Sequence, residues 1–100
     1  MMEGGATMGV SEALHEQVTF NTGTITTRDW VSFPILRFTE LPKITAIPIS
    51  NPSVGAFGMG GEGPNGYVQA AIANAIFDAT GKQPRRLPFT PGAIRALLSP

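Results

Sequence analysis

The chain has 100 residues, 7 basic and 7 acidic side chains for a formal net charge of zero, 42% hydrophobic residues, 12 glycines, 9 prolines and no cysteine. A neutral chain has no field with which to gather a polyanion, so no nucleic-acid partner is expected, and without cysteine there is no disulfide, thiolate metal site or thiol nucleophile. Charged residues make up 14% of the chain, where a soluble domain usually carries about a quarter, which implies that surface normally wet is covered by something else.

Residues 1–16 set Met8, Val10, Ala13 and Leu14 among small residues, with Ser11, Glu12, His15 and Glu16 on the polar side, and predict a helix. Gly4, Gly5 and Gly9 each weaken it by about 1 kcal/mol relative to alanine, so they imply close approach by another backbone or a bound ligand. Gln17 to Phe20 and Thr24 to Thr27 alternate polar and apolar residues around Asn21-Thr22-Gly23, which predicts a β-hairpin. Residues 28–37 read as an extended, packed excursion whose Trp30 and Phe33 are core aromatics in preference to the lining of a substrate channel. Ile44 to Ile49 is a short strand candidate, placed at an edge or a strand end by Pro42 and Pro48.

Residues 51–66 hold two prolines and six glycines and read as a glycine-rich loop, too apolar at Phe57 and Met59 for an ordinary linker. Asn65 then caps a helix from Tyr67 to Thr80, stopped by Gly81 at C′ and apolar nearly all round, as a helix buried on every side would be. Its longest apolar stretch, 68–77, is interrupted by Gln69 and Asn74 and is too short to span a bilayer, so no membrane insertion is expected. Thr90-Pro91 opens a short terminal helix through Leu98. The expected class is α+β: an N-terminal helix, a hairpin and a short strand, a glycine-rich loop, one long buried helix and a short C-terminal helix, all in a single piece, 1–100.

Residues 58–63 fit G-x-G-x-x-G, but Ser50-Asn51-Pro52-Ser53 stands where a dinucleotide-binding turn needs a buried strand. What remains is flexible backbone leading into a helix N-terminus, with Glu62 at its centre. A carboxylate among glycines beside a buried helix would be desolvated, which raises its proton affinity towards that of a general base; an exposed loop carboxylate is the plainer alternative. His15, the one histidine, reads as solvated or paired with a glutamate, not as a metal ligand. Lys82, Arg85 and Arg86 decorate the end of the long helix, and Ser11, Ser50 and Ser53 lack the base and elbow of a serine nucleophile.

The run Gly61-Glu62-Gly63-Pro64-Asn65-Gly66, followed by Ala71-Ile72-Ala73-Asn74-Ala75-Ile76-Phe77 and closed by Arg86-Leu87-Pro88, resembles the C-terminal stretch of the molybdopterin-binding large subunit of the xanthine dehydrogenase/aldehyde oxidase family. Its nearest likeness is to the isoquinoline 1-oxidoreductase beta-subunit type. Glu3-Gly4-Gly5, Met8-Gly9 and Ala13-Leu14 resemble the family's glycine-rich helix, and Phe20 with Asn21-Thr22-Gly23 its following hairpin. Met1 and Met2 stand where a cofactor-contacting glutamine of the family would fall, so the chain is expected to be a C-terminal fragment of a larger molybdenum-binding domain.

The resemblance implies that Glu62 is the catalytic general base, taking a proton from a metal-bound hydroxyl during oxidation of an aldehyde or N-heterocycle with water as oxygen source. It places Gly60 and Gly61 against the cofactor, molybdopterin in its cytosine dinucleotide form, which is held by the full subunit and not by the isolated chain. The metal is ligated by the pterin and not by the protein. Implied partners are the remainder of the large subunit, an iron–sulfur small subunit and the small-molecule substrate. The compartment, cytoplasm or periplasm, stays open, with any export signal upstream. The alternative is a small non-catalytic module that packs its apolar helix on a partner.

Overall fold

The computed structural model describes residues 1–55 and 62–100. Helix α1, Met2–Leu14, is the element on which the others converge. A hairpin follows, β1 Phe20–Asn21 antiparallel to β2 Thr24–Ile25, with Phe20 opposite Ile25 and Asn21 opposite Thr24. Gly23 takes φ +86°, the left-handed conformation that lets the chain reverse within two residues. The Thr19 side chain bonds those of Thr26 and Thr27 at 2.7 and 2.9 Å and extends the pairing past the strands. Mixed helix and a two-stranded sheet agree with the expected α+β class.

Residues 28–33 form a polar turn built on Asp29. One carboxylate oxygen accepts from the Ser32 N–H at 2.8 Å, the Ser32 hydroxyl at 2.8 Å and the Val31 N–H at 3.2 Å. The Ser32 amide, then its hydroxyl, hold the Asp29 carboxyl below its ordinary value, with the Val31 amide adding to the effect and slight desolvation opposing it.

No strand forms at 44–49. Pro42 and Pro48 remove ladder donors, no described strand lies alongside, and Ile47 and Ile49 are exposed, so the segment runs extended without pairing. Single 3₁₀ turns occur at Phe38–Glu40 and Pro52–Val54.

Helix α2 spans Glu62–Thr80, five residues longer at its start than the sequence suggests. Pro64 and two glycines argue against helix there, but proline at the third helical position lacks only an N–H that the first turn leaves unpaired in any case. Asn65 therefore lies inside the helix and does not cap it. At the other end Gly81 adopts φ +69° and its N–H donates to the Phe77 carbonyl at 2.7 Å, the single-bond left-handed C-cap expected of it.

The expectation of a helix buried on every side is not met: no residue of α2 is fully buried. Asn65, Val68, Gln69, Ile72, Ala73, Ile76 and Thr80 are half-buried at helical spacing, and the opposite side, with Ala70, Ala71, Ala75 and Phe77, is exposed. The physical reason is coverage. A 13-residue α1 shields one stripe of a 19-residue partner, and the all-round apolar pattern describes more neighbours than these residues supply.

Of the α1 glycines expected to mark a close approach, Gly9 does so, whereas Gly4 has open space around it. A Cβ on Gly9 would lie 2.7 Å from the Asn65 carbonyl oxygen and 3.0 Å from the Val68 Cβ, so only glycine permits this approach. Next to it, the apolar core consists of Val10, Ala13 and Phe89 among the described residues. The Phe89 N–H donates to the Ala13 carbonyl at 2.6 Å and ties the C-terminal segment to α1. Helix α3, Pro91–Leu98, then starts as expected, with Thr90 as N-cap accepting from the Ala93 N–H at 3.2 Å and proline at N1.

Two outcomes follow from this packing. Gly9→Ala forces α1 and α2 apart and should cost about 1–3 kcal/mol of stability, as overpacked interiors do, whereas Gly4→Ala, whose Cβ meets nothing within 4 Å, should cost nothing or gain up to about 1 kcal/mol; equal urea midpoints for the two variants would refute the close-contact account. The Asp29 turn should be indifferent to pH above the ordinary carboxylate range and loosen only as pH falls through the depressed value, because a lowered carboxyl contributes stability above its unfolded value and loses it on protonation. Amide exchange at Val31 and Ser32 against pH reads this directly, and a turn that loosens near neutrality would contradict it.

Candidate functional site

Glu62 is the first residue of α2 and its side chain is exposed. The desolvation expected for it is not provided by the described residues. A carboxylate in the first turn sits well with the unpaired N–H groups of the helix start, so the charge is electrostatically at home there. Gly66, one turn further on and on the same side, has no described atom within 4 Å of where a Cβ would be, so no side chain of the described residues covers its backbone. Gly60 and Gly61, the expected cofactor-facing glycines, lie outside the described residues.

Three side chains meet one turn behind Glu62. The Asn65 Nδ2 donates to Glu12 Oε1 at 2.7 Å, the Gln69 Nε2 donates to Glu12 Oε2 at 2.6 Å, and the same Gln69 amide donates to Asn65 Oδ1 at 3.1 Å. Both oxygens of a half-buried carboxylate are thus satisfied by α2. Bonds to an ionised acceptor are about twice as strong as neutral ones. Sequence reasoning placed Glu12 on the polar side of the helix and missed this cluster. The signal that could have found it is Glu12 three residues after Gly9, on the same face as the glycine that α2 approaches, together with the i, i+4 amide pair Asn65 and Gln69.

His15 closes α1 and its Nε2 lies 3.7 Å from Glu40 Oε2, so it is paired with a glutamate, although not with either of its sequence neighbours. Glu40 is held in turn by the Arg37 N–H at 2.9 Å. Ser11 donates to the Glu16 carboxylate and accepts from the Leu36 N–H at 2.9 Å, a structural role that uses its hydroxyl fully. Among the described residues no group of three or more His, Cys, Asp or Glu side chains could hold a metal ion.

Trp30 is not a core aromatic, and Phe33 is half-buried. Trp30 is 78% exposed, and with Val18, Ile25, Arg28 and Phe33 it borders an open groove of about 500 Å³. The described residues around Trp30 supply no hydrophobic layer to close over its ring, so that ring faces outward. A second groove of about 400 Å³ runs between Arg85, Arg86 and Phe89 on one side and Ile94 and Leu97 of α3 on the other. Neither groove includes Glu62. No helix among the described residues is long and apolar enough to cross a membrane.

No family model matches the sequence. Known proteins do. The chain is 40% identical over 97 residues to a nicotinate dehydrogenase subunit from Pseudomonas putida, an alignment that takes in 97% of this chain and 8% of that protein. It is 33% identical over 92 residues to an isoquinoline 1-oxidoreductase subunit, the beta chain, from Brevundimonas diminuta, covering 90% of this chain and 11% of that one. The chain therefore spans about a tenth of the length of the curated relatives it matches. Nearly every residue here has a counterpart in both, which agrees with the likeness carried by residues 61–88, and the chain is a homologue of a short segment of the molybdopterin-binding large subunits of the xanthine dehydrogenase/aldehyde oxidase family.

Proposed function

We propose that this chain is the segment of a molybdenum hydroxylase subunit that supplies the general base, Glu62, for oxidation of an aldehyde or an N-heterocycle. The observation that carries the reading is the match of 97% of the chain, at 40% identity, to a subunit of an enzyme named for dehydrogenating nicotinate, itself an N-heterocyclic acid. The exposed carboxylate at the start of α2 fits this role. It is presented outward, and the uncovered backbone at Gly66 leaves room for a bulky neighbour.

The residues present also fit a molybdopterin carried by the full subunit, in the cytosine dinucleotide form that the resemblance implies. Glu62 and the open backbone at Gly66 would border it, with Gly60 and Gly61 preceding them in the chain. Such a group supplies oxygen transfer and accepts the two electrons of the oxidation when bound. What Glu62 does is remove a proton. Its carboxylate oxygen must lie within hydrogen-bond reach of the attacking oxygen, hold the proton while the new carbon–oxygen bond forms, and release it to solvent afterwards.

Large exposed apolar side chains support incorporation into a larger subunit. Val31, Phe38 and Ile49 are at least 90% exposed, at 90%, 92% and 94%, and the Cα radius of gyration is 16.4 Å against about 13 Å for a compact domain of this length. In this reading the remainder of the large subunit covers those surfaces and the exposed side of α2, desolvates Glu62, and brings an iron–sulfur small subunit within electron-transfer range. The isolated chain would be inactive.

In the complete enzyme carrying this segment, Glu62→Gln should lower kcat by about 10²–10⁴-fold, the range for losing a general base, with molybdenum content unchanged. Dye-linked oxidation of the substrate and metal analysis measure the two quantities, and a Gln variant that turns over at the parental rate would refute the assignment. The purified chain by itself should hold no molybdenum and oxidise nothing; stoichiometric metal with turnover would show that it needs no larger subunit.

A further inference from the structure

We infer that Glu12 is a positioning residue for Glu62: its carboxylate, bonded through both oxygens to Asn65 and Gln69, fixes the first turns of α2, from which Glu62 projects. The inference rests on the proposed role of Glu62 as base.

The need for such a residue follows from where Glu62 stands. It occupies the first position of its helix, where N–H groups are unpaired and helix ends fray. Of the residues that follow, Gly63, Asn65 and Gly66 are poor helix formers, and each loosens the turn further. A general base cannot tolerate that freedom, because a displacement of about 1 Å in a reacting group can cost on the order of 10²-fold in rate. Something outside α2 must hold its beginning.

Two contacts from α1 do so. Gly9 lets the Asn65 backbone seat directly against α1, which fixes how close the helices come. Glu12 then fixes rotation and register. Its two oxygens reach Asn65 at 2.7 Å and Gln69 at 2.6 Å, residues one turn apart, so α2 can neither turn about its axis nor slide along it without breaking a bond to an ionised acceptor. The Gln69-to-Asn65 bond at 3.1 Å closes the triangle and orients both amides. Asn65 is three residues after Glu62 and therefore on a neighbouring face, one turn from the projecting carboxylate. Glu12 touches neither substrate nor cofactor in this arrangement; it acts through α2.

The variants Glu12→Ala, Glu12→Gln and Gln69→Ala, made in the complete enzyme with and without Glu62→Gln, test this. Glu12→Ala should lower kcat by about 10–100-fold with KM and molybdenum content unchanged, and should speed hydrogen exchange of the 62–69 amides. Glu12→Gln, which keeps an acceptor and can bond the amides in a flipped arrangement, should recover most of the loss. In the Glu62→Gln background Glu12→Ala should have no further effect on kcat, because a residue acting only through Glu62 has nothing left to position.

A full-strength Glu12→Ala effect in that background, or an unchanged kcat in the single variant, overturns the inference. Should Glu12→Ala lose its cofactor, Gln69→Ala decides with one bond removed: kcat lowered at full metal content supports the inference, and kcat unchanged overturns it. The two readings fail separately. An active Glu62→Gln enzyme removes the base assignment itself, whereas an inactive one beside a fully active Glu12→Ala enzyme removes only the positioning role.

Discussion

The structure depends on the absence of one methyl group. At Gly9 the Asn65 carbonyl oxygen occupies space that a Cβ would contest at 2.7 Å, and from that approach the rest of the molecule is arranged. With the backbones this close, Glu12 comes within reach of Asn65 and Gln69 one turn later. The other faces of α1 are used as fully. Ala13, with no exposed surface, accepts the Phe89 N–H, Ser11 takes the Leu36 N–H, and His15 meets Glu40. Segments far apart in sequence, at Leu36, Glu40 and Phe89, are thus each tied to α1.

Such an arrangement explains which parts of the fold were legible from the sequence. The hairpin, the Gly81 stop and the Thr90-Pro91 start are written in adjacent residues: a glycine with positive φ, a hydroxyl three residues before an orphan N–H, a proline where no donor is missed. These signals act over one turn and need no partner. The start of α2 was misplaced because Gly63, Pro64 and Gly66 argue locally against helix, and what offsets their low propensity is tertiary contact with α1. The segment 44–49 erred the other way, because its β-branched residues satisfy the local pattern while no described strand is there to pair with them.

The site was legible in a similarly divided way. Glu62 is singled out as a candidate by its surroundings in the chain, glycines before and a long helix after. Glu12 was not, because its meaning comes from Asn65, 53 residues away, and from Gln69, 57 residues away. On its own helix it is one of several polar residues. Only the glycine three positions earlier marks that face of α1 as the one α2 approaches, and amphipathic patterning, which sorts residues into apolar and polar faces, has no category for a half-buried carboxylate bonded to amides.

The low charge and the open apolar surface describe one condition. Selection for an interior removes charged residues from every surface that ends up covered, whichever neighbour covers it. On the proposed reading the composition would reflect burial within a larger subunit, whereas the fold shows burial by the described residues alone. The difference between them falls on the outer side of α2, on Trp30 and Phe38, and on the 44–49 segment, and not on the α1–α2 seam. Both sides of the seam are formed by described residues of this chain. A base mounted at one end of that seam would take its position from contacts made here and its desolvation from elsewhere, so that placement and proton affinity, the two properties a general base requires, would come from different parts of the subunit.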